Sequence, residues 1–526
     1  MERSTGKNEG GDSTLSRKPV ATSARAKGIR TVVSIAIILA AAVIMTHFLP
    51  ADPALFGPIS LIPAIFLIAY IFATKRVVEG LVLASVIGVI MVTRPVTTGE
   101  GVWATNAFAT FSQMILDTMM DEDTAWLIIV CGLMGSIIAL IEKTGGAFAF
   151  GRWAATKAKT RKSSLIWTWI LGIIIFIDDY LNSLTVGACM AKLTDEHKVP
   201  REFLSYVVDS TAAPVCVLIP ISTWAVFVGG LLETNGWAPA GEGLTYFIKT
   251  IPYDFYGWIA TFIVPLAILG VIPAIGPMKK AFQRVRDGGP LAPPNSEKID
   301  IHGGEEVQIP EKCSIWNMLI PILVLIVSTI LTGSDFKEGV FGTDMQLGVI
   351  ITLGFMFAFY LIQGLMTAEE FVDICLEGFK SMILPLLLMV LAFLFARVNR
   401  EIHFTEYVIN TGASLVTPKF LPLIVFIMLS ITEFITGTNW GMYIIALPIV
   451  IPLAQRMGVN VSLAVAAVLS AGVFGSHICF YSDATVITSS ACGCDNMRHA
   501  VTQLPYGLLG AVLSAVCFLV AGLIMA

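Results

Sequence analysis

The chain has 526 residues, of which 56% are hydrophobic and only 13% are charged. A soluble domain usually carries about a quarter of its residues as Asp, Glu, Lys or Arg, so this chain has too little polar material to cover a water-soluble surface. The formal net charge of −5 argues against a nucleic-acid partner. Together these values predict a polytopic membrane protein.

Apolar runs close to the twenty residues that a spanning helix needs recur along the chain. They follow a polar, basic N-terminus at 1–30, which we expect to be disordered. The predicted spans are 31–49, 54–73, 77–93, 125–142, 203–228, 256–276, 316–332, 347–365, 381–396, 461–489 and 504–525.

Two further apolar stretches, 164–193 and 420–455, are too long for one crossing and have polar residues at their centres. If both are re-entrant hairpins and the N-terminus is cytoplasmic, 26 of the 33 Lys and Arg residues lie inside and 7 outside. This distribution agrees with the excess of basic residues in cytoplasmic loops of membrane proteins. A single crossing at 164–193 would move one of its two flanking basic clusters outside.

The predicted fold class is therefore an all-α polytopic membrane protein with about 11 transmembrane helices and two re-entrant hairpins, in two inverted-topology repeats. The predicted segments are a disordered cytoplasmic N-terminus (1–30), an extra helix (31–49), a first repeat (54–276), a cytoplasmic linker (277–315) and a second repeat (316–526). Inverted repeats of this kind are typical of secondary transporters.

The first hairpin places Asp178, Asp179 and Asn182 between its two apolar arms. A charged side chain at mid-bilayer costs about 2.5–3.5 kcal/mol, and persists where it lines a cavity or meets a partner. The alternative is an ordinary polar loop outside the hydrocarbon region. A cation-binding turn explains the two adjacent acids better.

The next span carries Asp209, Ser210 and Thr211, followed by Pro214 and Pro220. Each proline removes a backbone donor and clashes with the preceding turn, which predicts a broken helix. A break frees carbonyl oxygens, which are hard ligands suited to a small cation. A proline kink alone would explain the prolines but not Asp209.

The second half contains a similar series of polar residues, with Glu433 before its hairpin tip and Thr438 and Asn439 at the tip. Asp209-Ser210-Thr211 and Asp483-Ala484-Thr485 share an Asp-small-Thr pattern, which predicts a pseudo-symmetric site. His477 is either a structural hydrogen-bonding residue or a group that titrates near neutral pH, and the sequence leaves both open.

These patterns define two sets of candidate site residues. The predicted cation- and proton-binding residues are Asp178, Asp179, Asn182, Asp209, Ser210, Thr211, Thr438, Asn439 and Asp483. The candidates for substrate contact or pH sensing are Ser222, Thr223, Glu433, Ser476, His477, Tyr481, Ser482 and Thr485. A sodium site is expected in the Asp178 and Asp209 region. No transition metal or other cofactor is expected, because the nine cysteines are scattered without matching His spacing.

The first-half motif FIDDYLNSLTVG, followed by DSTAAPVCVLIPISTW, resembles the signature of the NhaC-type sodium/proton antiporter family of the ion transporter superfamily. In the second half, TGTNWGMYIIALPI, FGSH, SDAT and TQLPY resemble the matching segments of that family. The resemblance covers roughly residues 54–525. It implies an inner-membrane antiporter whose discontinuous elements hold the site.

The chain also departs from the family pattern. Where the family has an acidic residue before the His, this sequence has Ser476, and where it has a Ser-Pro pair before the final Ser-Asp, the sequence reads Cys479-Phe480-Tyr481. The loss of a carboxylate and the gain of aromatic residues bear on the substrate, since members resembling this family also exchange organic acids or amines.

We therefore expect sodium/proton antiport by alternating access in the bacterial cytoplasmic membrane, with the N-terminus cytoplasmic. The alternative is a sodium- or proton-coupled symporter or exchanger of a small organic acid, amine or amino acid. An enzyme is not expected, because the Gly-x-Gly-Asp, His-Glu-x-x-His and P-loop motifs are absent from the sequence. The expected partners are membrane lipid and the transported ions or solute, with a homodimer left open.

Overall fold

The computed structural model describes residues 20–50, 52–74, 76–93, 103–294, 296, 313–333, 344–404, 407, 411, 416–436, 439–480 and 482–525. Throughout these residues the regular structure is helical, with no β-strand. Thr438 and Tyr481 lie outside the described residues, as do residues 1–19 of the predicted disordered segment. That prediction is wrong for residues 20–30, because the first helix begins at Val20.

The first third of the chain is a series of helices linked by short turns. Two 3₁₀ turns, Pro53–Leu55 and Gly57–Leu61, lie between the first helix and the second. The helices are α1 (Val20–Thr46), α2 (Ile62–Thr74), α3 (Val77–Thr93), α4 (Trp103–Met119), α5 (Glu122–Lys143) and α6 (Gly146–Lys157).

The centre of the first half contains the predicted hairpin and the predicted broken span. The hairpin consists of α7 (Arg161–Ile174) and α8 (Asp179–Glu196). The broken span is divided into α9 (Arg201–Asp209), α10 (Ala213–Cys216) and α11 (Thr223–Thr234). After it come α12 (Gly243–Ile248), a 3₁₀ turn (Ile251–Tyr253), α13 (Phe255–Leu269) and α14 (Gly276–Arg286).

The second half begins with α15 (Trp316–Gly333), α16 (Met345–Ile362), α17 (Ala368–Ser381) and α18 (Ile383–Glu401). A 3₁₀ turn (Pro418–Phe420) leads into the second hairpin, α19 (Leu421–Thr436) and α20 (Asn439–Met457). The second broken span consists of α21 (Val461–Ile478) and α22 (Asp483–Ala491), and the long α23 (Asn496–Met525) follows.

The two hairpins and the helices that follow them start at a constant spacing along the chain. The paired starting residues are 161 and 421, 179 and 439, and 201 and 461. The capping residues of the helices that resume each broken span, Ser222 and Ser482, keep the same spacing. The order of elements in the first half is thus repeated in the second, as the sequence predicted.

Six of the described helices are long and apolar enough to cross a membrane, and two bent helix pairs raise this number to up to eight. The two predicted spans at 203–228 and 461–489 are each divided by a break: every piece of the first is shorter than a span, whereas Val461–Ile478 of the second is one of the six. The count of about eleven spans, which included them, stays a prediction. The chain is an all-helical, multi-pass membrane protein.

Besides the short α12, four helices were not expected from the sequence, namely α4, α6, α14 and α17. They carry polar or charged residues along one side, as α17 does with Glu369, Glu370 and Asp373, so they do not form apolar runs. Helix α14 occupies the N-terminal part of the predicted cytoplasmic linker (277–315). Residues 297–312 of the linker lie outside the described part of the chain.

Each hairpin packs against the broken span of the other half. Helix α8 contacts α22, and a Cβ atom built on Gly187 would come within 2.8 Å of Ala491 Cβ. Helix α20 contacts α11, where the Trp224 and Trp440 ring centroids are 5.1 Å apart. These contacts between the two halves bring both hairpin turns and both helix breaks together inside the protein.

Candidate functional site

The turn of the first hairpin ends in a carboxylate that caps a buried helix. Asp178 is the N-cap of α8, and its Oδ1 accepts hydrogen bonds from the backbone N–H groups of Tyr180 and Leu181, both at 3.0 Å. Only 5% of the residue is exposed. The first N–H groups of a helix lack intrahelical partners and carry a partial positive charge, so this position stabilises the ionised form of a carboxylate.

A second helix N-terminus meets the same turn. Thr223, the first residue of α11, donates from its hydroxyl to Asp178 Oδ2 at 3.1 Å, and its backbone N–H donates to the Ile177 carbonyl at 2.9 Å. The next residue, Trp224, donates its indole N–H to Asp179 Oδ1 at 3.0 Å. Two adjacent buried acids are therefore held by uncharged donors at a point where two helices begin.

Asn182, one turn further along α8, joins the hairpin to the broken span. Its Nδ2 lies 2.6 Å from the carbonyl oxygen of Gly172, 2.8 Å from that of Ile175 and 2.9 Å from that of Thr211. The first two carbonyls belong to the end of α7, and the third follows α9. Asn182 Oδ1 is buried and has no hydrogen-bond partner among the described residues.

The broken span confirms the predicted break. Helix α9 ends at Asp209, and Pro214 is the second residue of the single turn α10, where its missing N–H costs little. Pro220 lies between α10 and α11. Thr211 directs its hydroxyl back to the carbonyls of Val207 and Val208, so this side chain completes the end of α9.

Asp209 lies at the C-terminal end of α9 and has two side-chain partners on α23. His499 Nε2 lies 3.1 Å from Asp209 Oδ2, and Gln503 Nε2 donates to the same oxygen at 2.7 Å. Gln503 also donates to the carbonyl of His477. Sequence reasoning missed His499, because it follows the charged Arg498 and looked like part of a solvated loop.

His477 is fully engaged in hydrogen bonding. Its Nε2 lies 3.0 Å from Ser210 Oγ, and its Nδ1 lies 2.8 Å from the hydroxyl of Tyr256 on α13. The histidine thus connects the end of α9 to α13 through both ring nitrogens. This geometry supplies a structural role and leaves the pH-sensing role a prediction.

A further buried acid, Asp254, was also missed. It caps α13, and Ser470 of α21 donates to its Oδ1 at 2.6 Å. Its Oδ2 has no hydrogen-bond partner within the described part of the chain. In the sequence, Asp254 lies between two apolar runs. Only its contact with α21, which is more than two hundred residues away along the chain, identifies it as part of the buried polar network.

The second hairpin places an amide where the first has a carboxylate. Asn439 opens α20, is buried, and accepts the backbone N–H of Trp440 at 3.0 Å. The Trp440 ring packs against Trp224 and against Phe227, whose ring centroid is 4.6 Å away. Glu433 is fully buried on α19 and faces Gly475 of α21.

A capping serine closes each of the two breaks with the same pair of hydrogen bonds. Ser222 Oγ donates to the carbonyl of Cys216 at 2.7 Å and accepts the N–H of Ala225. Ser482 Oγ donates to the carbonyl of Ser476 at 2.6 Å and accepts the N–H of Thr485. In each case a serine caps the helix that resumes the span and binds the carbonyl six residues before it.

This register corrects the predicted match between the two Asp-small-Thr patterns. Asp209 is the last residue of α9, whereas Asp483 is the first residue of α22, so the two occupy opposite ends of their helices. Thr485 Oγ1 donates to the carbonyl of Ser476 at 3.0 Å, beside the Ser482 hydroxyl. The repeated feature is the capping serine, not the aspartate.

Comparison with known proteins identifies the family of the chain. The model of the Na⁺/H⁺ antiporter family matches residues 215–523, which is more than half of the sequence. The chain belongs to the Na⁺/H⁺ antiporter family. Its second half lies within the match, while Asp178, Asp179 and Asp209 lie before it.

Two relatives of this Na⁺/H⁺ antiporter family member are known by sequence. An uncharacterized protein of Haemophilus influenzae is 27% identical over 497 residues, which is 88% of this chain and 90% of the relative. The malate-2H⁺/Na⁺-lactate antiporter of Bacillus subtilis is 31% identical over 111 residues, which is 21% of this chain and 24% of that protein.

Solved structures that share the fold of this antiporter family member include those of two transporters. The YdaH transporter of Alcanivorax borkumensis superposes with a TM-score of 0.56 at 12% identity, covering 84% of this chain and 98% of that one. Neisseria gonorrhoeae MtrF, from a class of antimetabolite efflux pumps, superposes with a TM-score of 0.51 at 13% identity, covering 92% and 98%. The neighbours are transporters and not enzymes.

Proposed function

We propose that the protein exchanges sodium for protons across the bacterial cytoplasmic membrane by alternating access. The observation that carries this proposal is the pair Asp178 and Asp179, buried where α8 and α11 begin and held by the neutral donors of Thr223 and Trp224. A buried carboxylate at a helix N-terminus can take up either a proton or a cation, and competition between the two is the basis of antiport.

Alternating access would involve the two hairpins and the two broken spans. Each hairpin lies against the broken span of the other half, so movement of one pair exposes the turn on one side and closes it on the other. Asp209 and its partners on α23 lie at the end of α9. We assign to this carboxylate a share in proton or cation binding. The excess of Lys and Arg in alternate loops supports a cytoplasmic N-terminus.

The direct test uses the full chain in proteoliposomes that contain a pH-sensitive dye. An external sodium step should change the internal pH, lithium should act more weakly or equally, and potassium should have no effect. A protein that moves no protons in response to sodium, at any pH between 6 and 9, would refute this proposal.

A second candidate is coupled exchange of a small organic acid. The relative from Bacillus subtilis is a malate-2H⁺/Na⁺-lactate antiporter, and Trp224, Phe227 and Trp440 form an aromatic cluster beside Asp179. Adding malate, lactate or an amine on one side of the same proteoliposomes separates the two functions. Under pure sodium/proton antiport, the proton flux is unchanged by these solutes.

A further inference from the structure

We propose that the carbonyl oxygens of Gly172, Ile175 and Thr211 form a sodium site together with Asn182 Oδ1, and that the Asn182 amide group fills this site when sodium is absent. This inference rests on the proposed function, since it names the ligands that would hold its cation. The carboxylates of Asp178 and Asp179, about one turn earlier on α8, would supply the negative charge.

The first argument is a count of donors and acceptors. An asparagine side chain has two N–H donors on one nitrogen and one carbonyl oxygen. Here three carbonyl oxygens converge on Nδ2 at 2.6 to 2.9 Å, so one acceptor is in excess. Convergence of several oxygens on a single point is the arrangement that a hard cation requires.

The second argument concerns the oxygen atom of the same Asn182 amide group. Asn182 is 0% exposed, and its Oδ1 has no hydrogen-bond partner among the described residues. An unsatisfied buried acceptor destabilises the folded protein. If the NH₂ group withdrew from the point where the carbonyls converge and the amide rotated, Oδ1 would face that point as a fourth oxygen, which is favourable only if a cation occupies the centre.

The third argument is the origin of the three carbonyls. Those of Gly172 and Ile175 come from the end of α7, and that of Thr211 comes from the break after α9. Carbonyls at such ends are not committed to a continuing helix. The site therefore joins the hairpin to the broken span, so occupation by sodium would stabilise the two in one relative position.

The experiment measures sodium-dependent thermal stabilisation of the purified full-length protein in detergent. A ligand that binds only the folded state stabilises it by RT ln(1 + c/Kd), where c is the free ligand concentration, so the dependence of Tm on sodium concentration gives the half-saturating concentration Kd. Asn182→Leu keeps the approximate shape but removes both the donor and the oxygen. We expect the half-saturating sodium concentration to rise roughly ten- to hundredfold, the range seen when groups around a metal site are lost.

Asn317→Leu is the matched control. Asn317 is a buried asparagine on α15 whose Nδ2 and Oδ1 both lack described partners, and its replacement should leave the sodium response unchanged. An Asn182→Leu protein with the wild-type half-saturating sodium concentration would overturn the proposal. If this variant elutes as an aggregate, Asn182→Asp decides: it retains an oxygen ligand, so sodium binding must persist at or below the wild-type concentration.

The two proposals fail in different ways. If the wild-type protein shows neither a sodium-dependent Tm shift nor sodium-driven proton movement, the antiport function is wrong. If wild type shows both and Asn182→Leu matches it, antiport stands and only this ligand set is wrong.

Discussion

In the first hairpin the turn before α8 carries Asp178 and Asp179, whereas the corresponding turn before α20 carries Thr438 and Asn439. The helices on either side start at the same spacing in both halves, and each break is closed by a capping serine. The backbone plan is thus shared, while the acids at the hairpin turn are confined to the first half. The capping serines therefore stabilise the fold in both halves, and the negative charge at the first hairpin turn is a separate property.

The largest effect should follow the loss of the turn charge. Asp178→Asn retains a side chain that can cap a helix but removes the negative charge, and we expect sodium-driven proton movement to fall by roughly 10²-fold or more. The measurement is the initial rate of internal pH change in proteoliposomes. Asp344→Asn, at the N-cap of α16, is the control and should exchange like wild type. Equal rates for both variants would show that the acids of the first half are not what distinguishes it.

A second difference between the halves lies at the start of the broken spans. Helix α9 begins with Arg201 and Glu202, and Arg284 of α14 makes two hydrogen bonds to Glu202 at 2.7 and 2.8 Å. The hydrogen bonds that Arg284 donates to Glu202 raise the pKa of Arg284, so the guanidinium stays charged over the working pH range. Helix α21 begins instead with Val461 and Ser462.

Glu202→Gln should therefore destabilise the protein by about 3 kcal/mol, because it leaves a guanidinium partly buried without its carboxylate. The expected result is a lower Tm in detergent, with no dependence on sodium. The double variant Glu202→Gln, Arg284→Gln should recover part of the loss. If the single and double variants have the same Tm, the pair does not hold α14 to α9.

Loss of an indole hydrogen-bond donor should have an effect of intermediate size on sodium binding. Trp224→Phe keeps the ring contacts with Trp440 but removes the N–H bond to Asp179, and should raise the half-saturating sodium concentration about tenfold. Trp440→Phe is the matched control, because it makes the same change in the ring that packs against Trp224 from the other half. A similar change in both variants would indicate that ring packing, and not the hydrogen bond, sets the affinity.

The capping serines should give the smallest effects. Ser222→Ala and Ser482→Ala each remove a helix cap worth about 1 kcal/mol, so both should lower Tm to a similar extent. Only Ser222→Ala should also weaken the response to sodium, since Ser222 directly precedes Thr223, which binds Asp178. An equal loss of sodium response in the two variants would argue for a site shared evenly between the halves.

Local patterns in the sequence predicted those parts of the molecule that depend on short stretches. The apolar run 77–93 coincides with α3, and Pro214 and Pro220 marked the break because a proline acts on its own turn. The pairing of Asp209 with His499 could not be predicted in this way, because it joins residues 290 positions apart. The Asp-small-Thr comparison failed because three residues do not define a register between helix ends.

The exchange of hairpins between the halves has a consequence for the origin of such a chain. Helix α8 contacts α22, and α20 contacts α11, so a polypeptide with only one half would lose these contacts unless a second copy supplied the missing hairpin. Two identical half-length subunits would have to keep the same residue at both turns. Joining them in one polypeptide removes that constraint, and lets one copy carry Asp178 and Asp179 while the other keeps an uncharged turn.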